Sequence, residues 1–218
     1  MRLVARQKES LLTLELATHA EASRKIPMTT NPALLQPATL TEKAPESFQV
    51  KFATTKGDFT LEVTRAWSPL GADRFHNLVK HGYFTDAAFF RNVPGFIVQF
   101  GLSADPSVNK VWRSANIKDD PCKQSNAPGT ITFATAGPNT RTTQLFINFG
   151  NNTFLDSQGF SPFGKVISGM DVVKKLHSGY GERPDQGEIT NQGKDYLDKN
   201  FPEIDMIKSA TIMTPAGS

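Results

Sequence analysis

Residues 48–63 alternate apolar and polar side chains through two runs, and this period of two is the tightest constraint the chain places on its own fold. Phe48, Val50 and Phe52 share one side of the first run, with Gln49 and Lys51 on the other. Thr55-Lys56-Gly57-Asp58 turns the chain, and Phe59, Leu61 and Val63 repeat the alternation. A helix would scatter these side chains around its axis, whereas a strand sends successive residues to opposite faces. The segment reads as a β-hairpin with one buried face. That face is rich in phenylalanine, and so is the whole chain, with 16 Phe against 2 Trp and 3 Tyr. With 16 Gly and 14 Pro to punctuate it, the sequence describes a Phe-packed β protein with many turns.

Downstream, Ser68-Pro69 opens a helix in which Phe75, Leu78 and Val79 fall at helical spacing, and His81-Gly82 ends it. Short strands are expected at residues 89–91, 96–100, 130–134, 145–148 and 163–167, with Pro94-Gly95 turning the first pair. A second helix over residues 169–176 sets Met170, Val173 and Leu176 on one face. A more polar helical segment follows over 188–200, and residues 205–213 supply a closing strand. Many short strands with two helices among them point to a closed antiparallel barrel capped by helices, not to βαβ units.

The 218 residues fit one domain plus an extension. A net charge of +3, with no block of like charges, gives no argument for nucleic acid as a partner. The single cysteine, Cys122, excludes an internal disulfide and any CxxC pair, and reads as a spectator thiol in a loop. His19, His76, His81 and His177 show no zinc-binding spacing, so neither metal nor cofactor is expected. No run of eighteen apolar residues exists, so no membrane span is expected either.

Residues 1–46 are a different kind of sequence. Arg2, Arg6 and Lys8 precede an apolar stretch over 11–17 and then Ala20-Glu21-Ala22, which is the order of a secretory signal, although Glu15 interrupts the apolar part. An unstructured or loosely helical leader is the other reading, and the compartment stays open between cytoplasm and export to the periplasm or beyond. From Pro27 to Pro45 the chain is rich in Pro, Thr and Ala, as in an extended linker wrapped on or hanging off a domain. The expected division is therefore a largely disordered leader and linker over 1–46 and one folded domain over 47–214.

Three blocks carry a family resemblance. The first runs from Phe89-Phe90-Arg91 through Asn92-Val93-Pro94-Gly95-Phe96-Ile97-Val98-Gln99 to Gly101. The second runs from Pro128 through Phe133-Ala134-Thr135-Ala136-Gly137-Pro138-Asn139-Thr140 and on to Thr143-Gln144-Leu145-Phe146-Ile147. The third joins Phe154-Leu155-Asp156 to Phe163-Gly164-Lys165-Val166 and Gly169. In this order the blocks resemble the cyclophilins, peptidyl-prolyl cis-trans isomerases, from about Phe48 to the C-terminal strand. The resemblance implies an eight-stranded antiparallel barrel capped by two helices, its interior filled with side chains and its peptide groove outside.

It also implies roles. Arg91 corresponds to the family's catalytic arginine and Gln99 to the amide beside it. Phe96, Ile97, Phe133, Phe146 and Leu155 correspond to an apolar socket for the proline ring, Ile97 and Phe133 being partly core. Ala134 and Thr135 correspond to groove residues that bind the peptide main chain, with Ala136 and Gln144 in the adjoining pocket. Phe154 stands where many members carry a tryptophan that bonds cyclosporin A, so binding of that drug is expected to be weak. Phe160 replaces a His or Tyr and can stack on the proline, but offers no polar handle. The implied partners are proline-containing peptides and unfolded or flexible protein segments, met by a monomer that assists folding. The polar stretches 102–126 and 179–200 have no assigned role.

Overall fold

The computed structural model describes residues 30–213. Both readings of the leader, signal or unstructured, concern residues outside these. Strands β1 (Ser47–Thr54) and β2 (Gly57–Thr64) form the hairpin. Its pairs Phe48↔Val63, Val50↔Leu61 and Phe52↔Phe59 all bury their side chains. The Phe52 and Phe59 rings stack with centroids 4.9 Å apart.

The remaining strands are β3 (Arg91–Val93), β4 (Ile97–Phe100), β5 (Thr130–Phe133), β6 (Leu145–Asn148), β7 (Pro162–Ser168) and β8 (Ile207–Met213). They join in one antiparallel sheet in the order β3-β4-β6-β5-β7-β2-β1-β8, curled around the phenylalanine core. The protein is mainly β, as expected, but the ladder does not close. Its end strands β3 and β8 meet through a single bridge, Ala88↔Met206, just ahead of both. Beyond the bridge the free edge of β3 is taken by another part of the chain: the Asn92 amide donates to the Gly181 carbonyl at 3.1 Å.

The helices also exceed expectation. Alongside α1 (Pro69–Lys80) and the short α3 (Met170–Lys174) stand α2 (Pro106–Trp112), α4 (Gln186–Gln192) and α5 (Lys194–Asn200). Helix α2 lies inside the polar stretch 102–126. Its seven residues present Val108 and Trp112 to the core, too short a pattern to reveal a period. The single helix expected over 188–200 is two, broken at Gly193 with φ 60° and ψ −137°. A side chain there would meet the Ala104 carbonyl oxygen at 2.1 Å, so the close approach of the two segments requires glycine.

Residues 30–46 lie along the domain. Two 3₁₀ turns, Pro32–Leu35 and Pro37–Thr39, bury Leu34, whose carbonyl accepts from Trp112 Nε1 at 2.7 Å. Further on, the Ala44 amide donates to Asp73 Oδ1 at 2.9 Å. This part of the expected linker is a strap held by α1 and α2.

Under the strap, His76 of α1 is buried edge-on to Phe48, and its Nδ1 has no hydrogen-bond partner among the described residues. Burial lowers its pKa below the usual histidine value, opposed by the nearby Glu42 carboxylate. The unfolded chain then binds a proton at a pH where the folded chain does not. Stability from this group is present above about pH 6.5 and is lost as pH falls through the lowered folded value. We expect the stability of His76→Gln to fall less than that of the parent between pH 7 and 5, measured by urea unfolding. Parallel pH profiles would refute this.

Candidate functional site

The period of two that buries Val98 and Phe100 in the barrel necessarily turns Ile97 and Gln99 to the outer face of β4. Sheet register then fixes their neighbours. Arg91 lies opposite Gln99 across the β3–β4 pair, and Gln99 lies opposite Phe146 across β4–β6. Adjacent strands stand about 4.8 Å apart, so Arg91, Gln99 and Phe146 form one row on the outer surface. The turn joining β3 to β4 uses Gly95 at φ 77° and is pinned by Asn152, whose Nδ2 donates to the Phe96 carbonyl at 3.0 Å.

Beside this row lies a second apolar cluster, distinct from the barrel core. Ile97, Phe146 and Leu155 form it, with Phe96, Ala134 and Phe160 packed against them. Leu155 arrives on the 3₁₀ segment Thr153–Gln158, and Phe160 meets Phe146 edge-on at 5.7 Å. A buried polar network holds this floor. Asn126 Nδ2 donates to Asp156 Oδ1 at 2.8 Å and to the Phe160 carbonyl at 2.9 Å, while Thr132 Oγ1 donates to Asn126 Oδ1 at 2.9 Å. Burial pushes the Asp156 carboxyl upward, but hydrogen bonds from Ser125 and Asn126 outweigh it and hold the pKa below the ordinary range.

Polar contacts run along the row. Arg91 Nη1 donates to Gln99 Oε1 at 3.3 Å, and Gln99 Nε2 donates to Gln144 Oε1 at 2.8 Å. Gln99 is buried and Arg91 half-buried, with its guanidinium carbon 5.8 Å from the Phe96 ring centroid. The other edge of the guanidinium meets Glu182, whose Oε1 lies 2.5 Å from both Nε and Nη2.

Not every expected residue joins this cluster. Phe133 faces inward, buried in the barrel core against Phe163 with centroids 5.2 Å apart. Ala134 packs half-buried against the cluster, Thr135 beside it is half-buried, and Ala136 is exposed. Their loop is tied by the Ala136 amide to Thr140 Oγ1 at 2.8 Å. Phe154 is 54% exposed and stacks on Phe96 at 6.1 Å. Behind Gln144 a cavity of about 110 Å³ is lined by Tyr83, Asn109, Trp112 and Thr142 among others.

Three residues that sequence reasoning did not single out support the site. Glu182 pairs with Arg91 across a separation that no local pattern signals. Arg141 is buried with Asp120 beneath the 134–140 loop, Nη2 to Oδ2 at 3.1 Å. Arg74 donates from Nη1 to the Ala115 carbonyl at 2.7 Å and to the Thr142 carbonyl at 2.9 Å, and burial lowers its pKa to about 10. Among the described residues, no group of three or more His, Cys, Asp or Glu could hold a metal ion, and no helix is long and apolar enough to cross a membrane.

The model of the family described as cyclophilin type peptidyl-prolyl cis-trans isomerase matches residues 49–194, which include all of this surface. The chain belongs to this family. A peptidyl-prolyl cis-trans isomerase of Acinetobacter baylyi is 33% identical over 133 residues, covering 58% of this chain and 70% of that one. One of Arabidopsis thaliana is 32% identical over 141 residues, covering 62% of this chain and 88% of its own. The fold is also that of a solved cyclophilin-type isomerase of Cryptosporidium parvum, with TM-score 0.59 and 22% identity over 78% of this chain and 99% of that one. That cyclophilin has also been solved in the presence of the dipeptide Ala-Pro, giving TM-score 0.56 at 24% identity.

Proposed function

We propose that this cyclophilin isomerises X-Pro bonds in protein segments on the outer surface, with Arg91 and Gln99 as its catalytic pair. Ile97, Phe146 and Leu155, flanked by Phe96 and Phe160, are the socket for the proline ring. The observation that carries this reading is the register Arg91↔Gln99↔Phe146, which sets a fixed guanidinium, an amide and the apolar floor side by side.

Rotation about an X-Pro bond is opposed by amide resonance, a barrier of about 18–20 kcal/mol. At the twisted midpoint the prolyl nitrogen becomes pyramidal and regains a lone pair. An N–H held against that nitrogen is worth more there than in either planar isomer, and only such a difference lowers the barrier. Arginine suits the task because it stays charged and carries its donors on a rigid plane. Glu182 and Gln99 occupy some of the five N–H groups of Arg91 and leave others for the substrate. Gln99 is itself oriented, since its oxygen accepts from Arg91 while its nitrogen donates to Gln144. No proton transfer, metal or cofactor enters the reaction.

The remaining groove residues receive the peptide main chain at Ala134 and Thr135 and a neighbouring side chain at Ala136 and Gln144. Phe133 supports this wall from the core side. Cyclosporin A binds weakly, because the exposed Phe154 ring supplies area but no N–H donor. Clients are flexible or unfolded segments containing proline, and the protein acts on them as a monomer.

The test is a proline-limited peptide isomerisation assay. The protein is expected to accelerate cis–trans exchange well above the spontaneous rate, and absence of acceleration would overturn the proposal. Gln99→Ala frees Arg91 to move and is expected to lower kcat/KM about fivefold, the equivalent of one hydrogen bond of ~1 kcal/mol. An unchanged rate would remove Gln99 from the pair.

A further inference from the structure

After α3 the chain leaves the barrel over residues 177–204 and builds a small core of its own. Ile189, Leu197, Phe201 and Ile204 pack there around Phe90, the residue just ahead of β3. The excursion therefore grips three successive residues at the edge of the site. Phe90 is buried in its core, and Arg91 is paired with Glu182. Asn92 bonds Gly181 through its amide and donates from Nδ2 to the His177 carbonyl at 3.3 Å. Glu182 sits on a fixed turn, with the Gly181 amide on the Ser178 carbonyl at 3.0 Å and the Arg183 amide on the Tyr180 carbonyl at 3.0 Å.

The Glu182 side chain is 62% exposed and that of Arg91 26%, so the carboxylate is the more solvent-exposed member of the pair. One carboxylate oxygen covers both Nε and Nη2. A bare guanidinium at the rim of a peptide groove would draw acidic side chains into ion pairs. Such pairs hold the planar isomers as firmly as the twisted state, and uniform binding of that kind does not speed the reaction. A carboxylate already in place repels the acidic side chain and attracts a basic one.

We propose that Glu182 sets the charge preference of the site, turning it against acidic residues flanking the substrate proline and toward basic ones. The inference rests on Arg91 being the group that faces the prolyl amide. It gives part of the 179–200 stretch a function, that of delivering one carboxylate to the edge of the catalytic strand.

The experiment measures kcat/KM on matched peptides carrying Glu, Ala or Lys immediately before or after the proline. The parent, Glu182→Gln and Glu182→Lys are compared at low and high salt, with thermal unfolding as the folding control. A unit charge at this range is worth roughly threefold per peptide. Glu182→Gln should raise the acidic-to-basic ratio about fivefold or more at low ionic strength, and Glu182→Lys should raise it further. Both shifts should fade at about 0.5 M salt. A ratio unmoved in both variants, including an equal loss on every peptide, would overturn the proposal. Arg91→Ala separates the two readings on the Ala peptide. Full activity there removes Arg91 as the catalytic group, whereas lost activity with an unmoved ratio in the Glu182 variants removes only the role of Glu182.

Discussion

Arg91→Ala is expected to lower kcat/KM for an X-Pro peptide at least about tenfold, ~1.4 kcal/mol of transition-state stabilisation, while leaving the protein folded. Arg91 lies on the edge strand β3, half-buried, and its side chain contributes to no hydrophobic cluster. Its loss removes one bond to Gln99 and one exposed ion pair, so only a small change in stability should follow. The loss should fall mainly on kcat, because the contact strengthens only as the amide twists. Arg91→Lys should recover little, since a point charge on a flexible stem cannot hold both Gln99 and the prolyl nitrogen. Coupled peptide isomerisation assays across a substrate series check this. Equal rates for the parent and Arg91→Ala would end the assignment.

The largest expected effect on stability lies at Asp120, away from the proposed chemistry. Its Oδ2 accepts from Ser68 Oγ at 2.6 Å, the Gly71 amide at 3.0 Å and Arg141 Nη1 at 3.2 Å. Its Oδ1 accepts from the Leu70 amide at 3.1 Å, so this one carboxylate caps the start of α1 from a distant loop. The side chains of Arg141 and Asp120 are only 2% and 5% exposed. Asp120→Ala would leave a buried guanidinium and several orphaned donors, at a cost of about 3–5 kcal/mol. For a domain of this size that lowers Tm by roughly 6–20 °C. The pair Asp120→Leu with Arg141→Met should recover only the part owed to the unpaired guanidinium, because the Ser68, Leu70 and Gly71 donors stay without an acceptor. Urea unfolding of the two single variants and the pair provides the measure. A loss under about 1 kcal/mol for Asp120→Ala would show that the Asp119 carboxylate, 3.5 Å from Arg141 Nε, suffices to hold the guanidinium.

The Arg91–Gln99 part of this site is legible in the sequence because the two residues are close along the chain, whereas Phe146, Leu155 and Phe160 are brought to it from far along the sequence. Arg91 and Gln99 are eight residues apart around a Pro94-Gly95 turn, and the alternation through Ile97, Val98, Gln99 and Phe100 assigns each to a face. Phe133 shows the limit of that argument. It precedes Ala134 and is a pocket residue by the resemblance alone, yet strand alternation sends its ring into the core. Helix α2 was hidden for a related reason. Its seven residues make two turns, too few for a period to stand out from a polar loop, whereas the segment expected over 188–200 was legible as helical but not its break at Gly193.

By itself, then, the sequence determined the phenylalanine-lined hairpin and where the strands fall along the chain, each from a side-chain period of two or a turn residue, both of them local. The roles along the row of Arg91 and Gln99 are what the resemblance to the cyclophilins implies. Tertiary structure decided what sits against that row. It left the barrel open at β3 by laying Gly181 along the strand edge, and it brought Glu182 to Arg91 across 91 positions of chain. It likewise set Asp120 under α1 and Arg141 against it. Charge pairs of this kind depend on where two backbones happen to meet, and a carboxylate in a polar loop carries no mark of the guanidinium it will find.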